Sequence, residues 1–169
     1  VASLEDPYEF ARHGQRTLNA VADAEAVVVA GIDGAARGVG VELALACDMR
    51  VATPDASLAE PGVQFGLFGA WGGTIRLPRT VSAADAADIA LSGRSVDAEE
   101  ALRMGLVSRV VDDPRAVAEE VAENKADALA HVKERLWDRT SDEERERAEA
   151  AAFEELLAAY ADDIAAMRE

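Results

Sequence analysis

The sequence predicts an α/β fold that continues into a helical C-terminal region, and three observations support this prediction. A short apolar run at 26–32, rich in β-branched residues, is followed by glycines and then by an apolar helix-forming segment. Such a run is typical of a strand buried on both faces of a parallel sheet. From residue 82 onward, helix caps and helical periodicity predominate, and 114–169 contains no strand pattern.

The first half is expected to alternate strands with helices. Pro7 suits the first turn of a helix over 7–22. The apolar run 26–32 is expected to be a central strand, and 33–37 a loop. A buried helix over 41–47 and a short strand over 49–52 follow. The stretch 57–70 is expected to be irregular because it contains a proline and three glycines.

The second half is expected to be mainly helical. A short helix over 72–78 precedes a helix over 83–91, and Asp97 caps another that ends at Gly105. A strand over 106–111 precedes a helix that begins at Pro114. Ser141 caps the last helix, whose apolar residues form one stripe: Phe153, Leu156, Leu157, Tyr160, Ile164 and Met167. We therefore expect a core over 1–113 and a helical oligomerisation region over 114–169.

The composition excludes several function classes. The 169 residues carry a formal net charge of −16, which disfavours nucleic acid and anionic membranes as partners. Only two of the 17 basic residues are lysine, Lys125 and Lys133. This balance predicts a halophilic protein kept soluble in concentrated salt, where screening weakens charge repulsion. An ordinary acidic enzyme is the alternative.

Cysteine and hydropathy patterns predict a cytoplasmic protein with no metal site. Cys47 is the only cysteine, so neither a disulfide framework nor a cysteine zinc site is expected. Its apolar neighbours predict a small buried hydrophobic residue. The sequence has no run of 18 apolar residues, and its N-terminus lacks a signal-peptide pattern.

The glycines after the first predicted strand indicate an oxyanion or phosphate site. Gly38 and Gly40 precede a helix, whose first backbone N–H groups have no partner within the helix and point outward. A dinucleotide-binding fold is disfavoured because Leu43 stands where the third glycine of its fingerprint belongs.

Two further features could contribute to a site beside these glycines. Glu42 lies on the otherwise apolar helix, where desolvation would raise its pKa toward the range useful for proton transfer. Alternatively, Glu42 is an acid favoured by the N-terminal end of the helix dipole. The following glycine-rich loop contains Phe65, Phe68 and Trp71, which could wall an apolar pocket or simply close the core.

Three segments together resemble the enoyl-CoA hydratase/isomerase, or crotonase, superfamily. They read D-G-A-A-R-G-V-G-V-E-L-A-L-A-C-D over 33–48, G-L-F-G-A-W-G-G-T-I-R-L-P over 66–78, and S-G-R-S-V-D-A-E-E-A-L-R-M-G-L-V over 92–107. The resemblance implies a spiral of ββα units with a helical C-terminal region, assembled as a homotrimer or hexamer. It also implies an acyl-CoA thioester as substrate, with coenzyme A as part of that substrate and no separate cofactor.

The resemblance also assigns expected roles to residues. The backbone N–H of Val39 would stabilise the thioester enolate, and Glu42 would be the first catalytic glutamate. Gly38 and Gly40 flank that donor. The family's second glutamate position is Gly62 here, so Glu60 is the candidate replacement, with a solvated loop acid as the alternative. Phe65, Phe68 and Trp71 would contact the acyl group. Arg37 could contact a CoA phosphate, with a solvated surface arginine as the alternative.

Two departures from the family pattern leave several functions open. Residues 1–24 do not match the family's N-terminal strands and second oxyanion donor. The chain therefore resembles a member that lacks its N-terminal part, through truncation, supply by another polypeptide, or a variant that functions without it. An enoyl-CoA hydratase is expected. A one-glutamate reaction such as double-bond isomerisation, and a non-catalytic subunit, are the alternatives.

Overall fold

A computed structural model describes residues 5–166, which form two units. The first unit contains the N-terminal helix and 28–120, with all the strands among these residues. Its elements are α1 (Pro7–Ala22), β1 (Val29–Ile32), β2 (Ala35–Arg37), α2 (Val39–Ala46), β3 (Met49–Ala52), β4 (Ser57–Ala59), a 3₁₀ helix (Pro61–Phe65), α3 (Gly73–Thr80), α4 (Ala83–Ser92), β5 (Ser95–Asp97), α5 (Ala98–Met104) and β6 (Arg109–Val110). The predicted α/β class is confirmed.

The strands of the first unit form two three-stranded sheets. One has the order β1-β3-β6 and is entirely parallel. In the other, β4 pairs in parallel with β2 and antiparallel with β5. In the pairs β1–β2 and β3–β4, the two strands enter different sheets before the next helix, as the expected spiral of ββα units requires. Between the elements lies a core of buried aliphatic side chains that includes Ile32, Val41, Leu45, Leu58, Leu77, Ile89 and Leu106.

Local sequence signals explain several helix ends. The Asp6 carboxylate accepts a 2.9 Å hydrogen bond from the backbone N–H of Glu9, which caps α1. The Asp97 carboxylate caps α5 in the same way. That helix ends at Gly105, whose φ of +77° lies in the left-handed region that glycine favours. The predicted helix over 7–22 is confirmed with the same bounds.

The strand predictions were partly wrong. β1 begins at Val29 rather than 26 and lies at the edge of its sheet, not in the centre. Residues 25–27 belong instead to the second unit, where Lys133 Nζ donates a 2.9 Å hydrogen bond to the Ala26 carbonyl. β6 is shorter than predicted because the N–H groups of Leu106 and Val107 bond to the Ala101 carbonyl at the end of α5. The three-residue strands β2, β4 and β5 were not predicted.

The second unit contains Glu25–Val27 and the chain from Val121 onward. The helix α6 (Pro114–Ala122) spans the boundary in the chain, and α7 (Ala126–Trp137), α8 (Asp142–Ala159) and α9 (Ala161–Ala166) follow. Ser141 and Glu144 form the capping box of α8. The predicted last helix is interrupted at Tyr160, and Met167 lies outside the described residues. Within 5–166, no helix is both long and apolar enough to cross a membrane.

Candidate active site

The pairing of β2 with β4 positions Glu60 near the start of α2. The two strands are parallel, with Arg37 opposite Ala59, so the chain leaves both strands on the same side of the sheet. The N–H of Gly38 donates a 3.0 Å hydrogen bond to the Ala59 carbonyl and continues this pairing. Gly38 has a φ of +51°, which favours glycine, and α2 begins at the next residue. Glu60 follows Ala59 directly.

Glu42 is held by the backbone of the glycine-rich loop. Only 1% of the residue is exposed. Its Oε1 accepts hydrogen bonds of 2.8 Å from the N–H groups of Trp71 and Gly73. Gly73 is the first residue of α3, so the positive end of that helix dipole also faces the carboxylate. These contacts fix the position of one carboxylate oxygen of Glu42.

Gly69 brings the two glutamates together. A Cβ atom on Gly69 would lie 2.8 Å from Glu42 Oε1 and 3.1 Å from Glu60 Oε2. Both oxygens are therefore near the same point, and at most about 6 Å apart. One water molecule can span such a gap, because each hydrogen bond joins heavy atoms roughly 2.6–3.2 Å apart. Any side chain at Gly69 would displace a carboxylate.

Glu60 is buried, so the alternative of a solvated loop acid is wrong. Nine per cent of the residue is exposed. Burial and, second, the nearby Glu42 charge raise the pKa of Glu60 to about 7. The protonated and ionised forms of Glu60 are therefore both populated near neutral pH.

Each glutamate also has one buried oxygen without a partner among the residues that the structure describes. These atoms are Glu42 Oε2 and Glu60 Oε1. Leaving a buried carboxylate oxygen without a hydrogen bond is costly. The pair is thus arranged to accept hydrogen bonds from a small polar ligand or to exchange protons with one.

A side chain at position 62 would be packed tightly against the backbone of the loop. Gly62 lies in the 3₁₀ helix, where a Cβ atom would lie 3.0 Å from the Leu67 carbonyl oxygen and 3.0 Å from Phe68 Cα. Both are backbone atoms, so a side chain at 62 would require the loop itself to move. Position 60 therefore accommodates a second carboxylate more readily than position 62.

The three aromatic residues predicted to contact the acyl group lie in three different places. Phe68 lines an apolar groove together with Glu60. Phe65 is 75% exposed and does not line that groove among the described residues. Trp71 packs against Phe10 of α1, with ring centroids 5.3 Å apart. Trp71 therefore stabilises the loop through α1, and its backbone N–H is what reaches Glu42.

The remaining predicted residues lie around the start of α2. Val39 is its first residue, so its N–H has no partner within the helix. A Cβ atom on Gly40 would make an ordinary 3.7 Å contact with Ala36. The Arg37 guanidinium donates to the backbone oxygen and the hydroxyl of Ser57.

Sequence reasoning missed the roles of Gly69 and Gly73. A Cβ atom on Gly73 would lie 3.0 Å from Glu42 Oε1, so both glycines make room for that carboxylate. The density of glycines between 66 and 73 was a signal of close backbone approach. The glycines alone did not show which side chain lies against the backbone there.

Comparisons with known proteins identify similar chains. The family model described as enoyl-CoA hydratase/isomerase matches residues 3–163. A Bacillus subtilis protein named as a probable enoyl-CoA hydratase is 36% identical over 140 residues, which cover 79% of this chain and 54% of that protein. A Citrobacter koseri carnitinyl-CoA dehydratase is 37% identical over 132 residues, covering 75% and 51%. The chain thus spans about half the length of these relatives.

Solved structures show the same similarity. The crystal structure of enoyl-CoA hydratase from Thermoplasma volcanium matches with a TM-score of 0.85 and 30% identity. The match covers 92% of this chain and 65% of that one. The enoyl-CoA hydratase structure from Bacillus anthracis matches with a TM-score of 0.80 and 31% identity, covering 89% and 63%.

Proposed function

This chain belongs to the enoyl-CoA hydratase/isomerase family, and from that premise we propose that it hydrates an enoyl-CoA thioester. The main support is the pair of buried glutamates, Glu42 and Glu60, on either side of Gly69. Two carboxylates that one water molecule can bridge suit a reaction in which water is added. The relatives named as hydratase and dehydratase support the same reaction class.

In the proposed reaction, the water oxygen forms a bond to the β carbon of the enoyl group. Glu42, held at Oε1 by two backbone N–H groups, takes a proton from that water at its unpaired Oε2. Protonated Glu60 gives its proton to the α carbon. A proton then passes from Glu42 to Glu60, and the product is a 3-hydroxyacyl-CoA thioester.

Negative charge develops on the thioester oxygen as the β carbon is attacked. We assign the N–H of Val39, at the positive end of α2, to this oxygen. A preorganised donor of this kind contributes about 3 kcal/mol to transition-state stabilisation. Gly38 and Gly40 flank the donor without side chains that could obstruct the thioester.

An isomerase is the second candidate. The observation in its favour is Gly62, which stands where the family's second glutamate is expected. One carboxylate, Glu42, would then move a proton between the α and γ carbons of a 3-enoyl-CoA. The two unpaired carboxylate oxygens disfavour a non-catalytic subunit, since leaving them buried without hydrogen bonds costs stability and brings a purely structural site no benefit.

The test is hydration of crotonyl-CoA by the purified protein, followed as loss of enoyl absorbance. The proposal predicts that absorbance falls and that 3-hydroxybutyryl-CoA accumulates. An unchanged trace beside an active control enzyme, together with conversion of a 3-enoyl-CoA, would establish the isomerase instead.

The oligomeric state and the adaptation to salt are also part of this proposal. The helical region has several exposed apolar side chains, and they support contact with further copies in a trimer or hexamer: Val132, Leu136, Trp137, Phe153 and Leu157. The net charge of −16 supports adaptation to concentrated salt. The cytoplasmic location stays a prediction from the sequence.

A further inference from the structure

The backbone that binds Glu42 is itself held by side chains from two helices. Three consecutive peptide groups join residues 70–73, and the first and third donate their N–H to Glu42 Oε1. The first of them also accepts a 2.8 Å hydrogen bond at the Ala70 carbonyl oxygen from Gln15 of α1. Because a peptide group is planar, holding its oxygen also sets the direction of its N–H. The middle group, which carries the Trp71 oxygen, sets the angle between the two donors.

Arg76 binds this middle peptide group. Its Nη1 donates a 3.2 Å hydrogen bond to the carbonyl oxygen of Trp71, and its Nη2 donates a 2.7 Å hydrogen bond to Asn19 Oδ1 on α1. Gly72 makes room for the guanidinium. Its φ is +114°, and a Cβ atom there would collide with Arg76 Nη1. The guanidinium therefore lies directly against the loop and connects it to α1.

The place of Arg76 in its own helix does not account for an arginine. It is the fourth residue of α3, near the N-terminal end, where the helix dipole disfavours a cation. A guanidinium is planar and has five N–H donors in a fixed arrangement, so it can bind acceptors on two different elements at once. The two acceptors on α1 and the loop therefore explain this side chain better than helix formation does.

We propose that Arg76 is a positioning residue for Glu42, and the effect on the reaction rests on the proposed function. By holding the Trp71 carbonyl, Arg76 keeps the N–H groups of Trp71 and Gly73 directed at Glu42 Oε1. The other oxygen, Oε2, is then presented to the water in one orientation. Arg76 acts through the loop and not on the substrate, so its loss impairs proton transfer more than thioester binding.

Arg76→Met tests this role, because it removes the donors and keeps a side chain of similar length. For crotonyl-CoA hydration, we expect kcat to fall about ten- to a hundredfold, the scale of a misplaced reacting group. KM should change by less than about threefold, since the interaction improves the reaction and not substrate binding. Arg79→Met is the matched control, because Arg79 is an exposed arginine of the same helix. Its kcat should stay within about twofold of the natural value, which excludes an effect of lost charge alone.

The amide proton of Trp71 reports the contact with Glu42 without any need for activity. The chain has two tryptophans, so labelling them with ¹⁵N at the backbone leaves two amide signals, and Trp137→Phe identifies the one from Trp71. An amide proton resonates further downfield when its hydrogen bond is shorter. Arg76→Met should therefore move the Trp71 signal upfield, and Arg79→Met should leave it in place.

Asn19→Ala gives a second route to the same contact if Arg76→Met does not fold. Asn19 is exposed on α1, and alanine favours a helix. This variant removes the far anchor of the guanidinium, so the Trp71 signal should also move upfield and kcat should fall by a smaller factor. In the double variant with Arg76→Met, Asn19→Ala should add no further loss, because both act through one guanidinium.

Either of two results in folded proteins would overturn the inference. One is a Trp71 amide signal that neither Arg76→Met nor Asn19→Ala moves. The other is a kcat for Arg76→Met that equals the kcat of Arg79→Met. Failure of the proposed function is separate from both, because it appears as absence of crotonyl-CoA hydration in the natural protein. The amide signal then still decides whether Arg76 positions the loop around Glu42.

Discussion

The indole ring of Trp71 occupies the space that a side chain at Gly14 would need. The backbone N–H of the same tryptophan donates to Glu42, and Gln15, next to Gly14, donates a 2.8 Å hydrogen bond to the Ala70 carbonyl. The helix α1 thus contacts the loop that positions Glu42, the proposed catalytic carboxylate. A residue distant from the reacting atoms can influence them through this contact.

Gly14→Ala should test this positioning role. The added methyl group overlaps the indole ring, so Trp71 must move and its hydrogen bond to Glu42 must lengthen. We expect a loss of about 1–3 kcal/mol in unfolding free energy, as for other overpacked cores, and a lower kcat for hydration. Thermal unfolding and steady-state kinetics measure the two effects. Gly40→Ala is the stability control, and an equal loss there would contradict the specific role of Gly14.

Glu42→Gln should retain the fold and lose activity. The amide oxygen of glutamine can still accept from the N–H groups of Trp71 and Gly73, but the side chain can no longer take a proton. Loss of a general base lowers kcat by about 10²–10⁴. Kinetics with crotonyl-CoA measure this loss, and circular dichroism checks the fold. A folded Glu42→Gln protein with undiminished kcat would remove Glu42 from the mechanism.

Glu60→Gln should change how stability depends on pH. The folded-state pKa of Glu60 is raised to about 7 from an ordinary 4.5. Between these values the unfolded chain releases the proton while the folded chain keeps it. The stabilising contribution is thus complete below pH 4.5 and lost as the pH rises through about 7.

At pH 8, Glu60→Gln should therefore be more stable than the natural chain by roughly 1–2 kcal/mol, allowing for partial solvent screening of the shift. Urea unfolding across pH 4.5 to 8 measures this difference. Glu154→Gln, at an exposed position on α8, is the control and should follow the natural profile. Parallel profiles for all three proteins would contradict a raised pKa at Glu60.

Salt should stabilise the whole chain. Raising KCl from 0.1 M to 1 M shortens the Debye length from about 10 Å to about 3 Å, which weakens repulsion among the acidic residues. We expect the thermal midpoint to rise, as measured by circular dichroism. Sucrose, which favours burial without screening charge, provides the comparison. A thermal midpoint that does not change with KCl would contradict salt adaptation.

The sequence was sufficient where the determining interactions are local. Pro7, the Asp97 cap with Glu100, and Gly105 each predicted a helix end from a few neighbouring residues. The motif containing Glu42 likewise predicted the helix on which that glutamate lies.

Interactions between distant parts of the chain were not predictable from these patterns. The strands β2 and β4 are three residues long, and each depends on pairing with a strand elsewhere in the sequence: β2 pairs with β4, and β4 pairs also with β5. The pairing of β2 with β4 is also what brings Glu60 beside α2, so the sequence could name Glu60 without showing its burial. The hydrogen bond from Lys133 Nζ to the Ala26 carbonyl similarly joins residues 107 positions apart, and Ala26 lies outside β1.

The central claim is that Glu42 and Glu60 act on one water molecule as a unit. A double-mutant cycle on kcat/KM for crotonyl-CoA hydration, with Glu42→Gln, Glu60→Gln and both, tests it most directly. Residues that act together are strongly non-additive, so we predict that the double variant is about as impaired as the worse single variant. A fully active Glu60→Gln protein, or losses that simply multiply in the double variant, would contradict the claim.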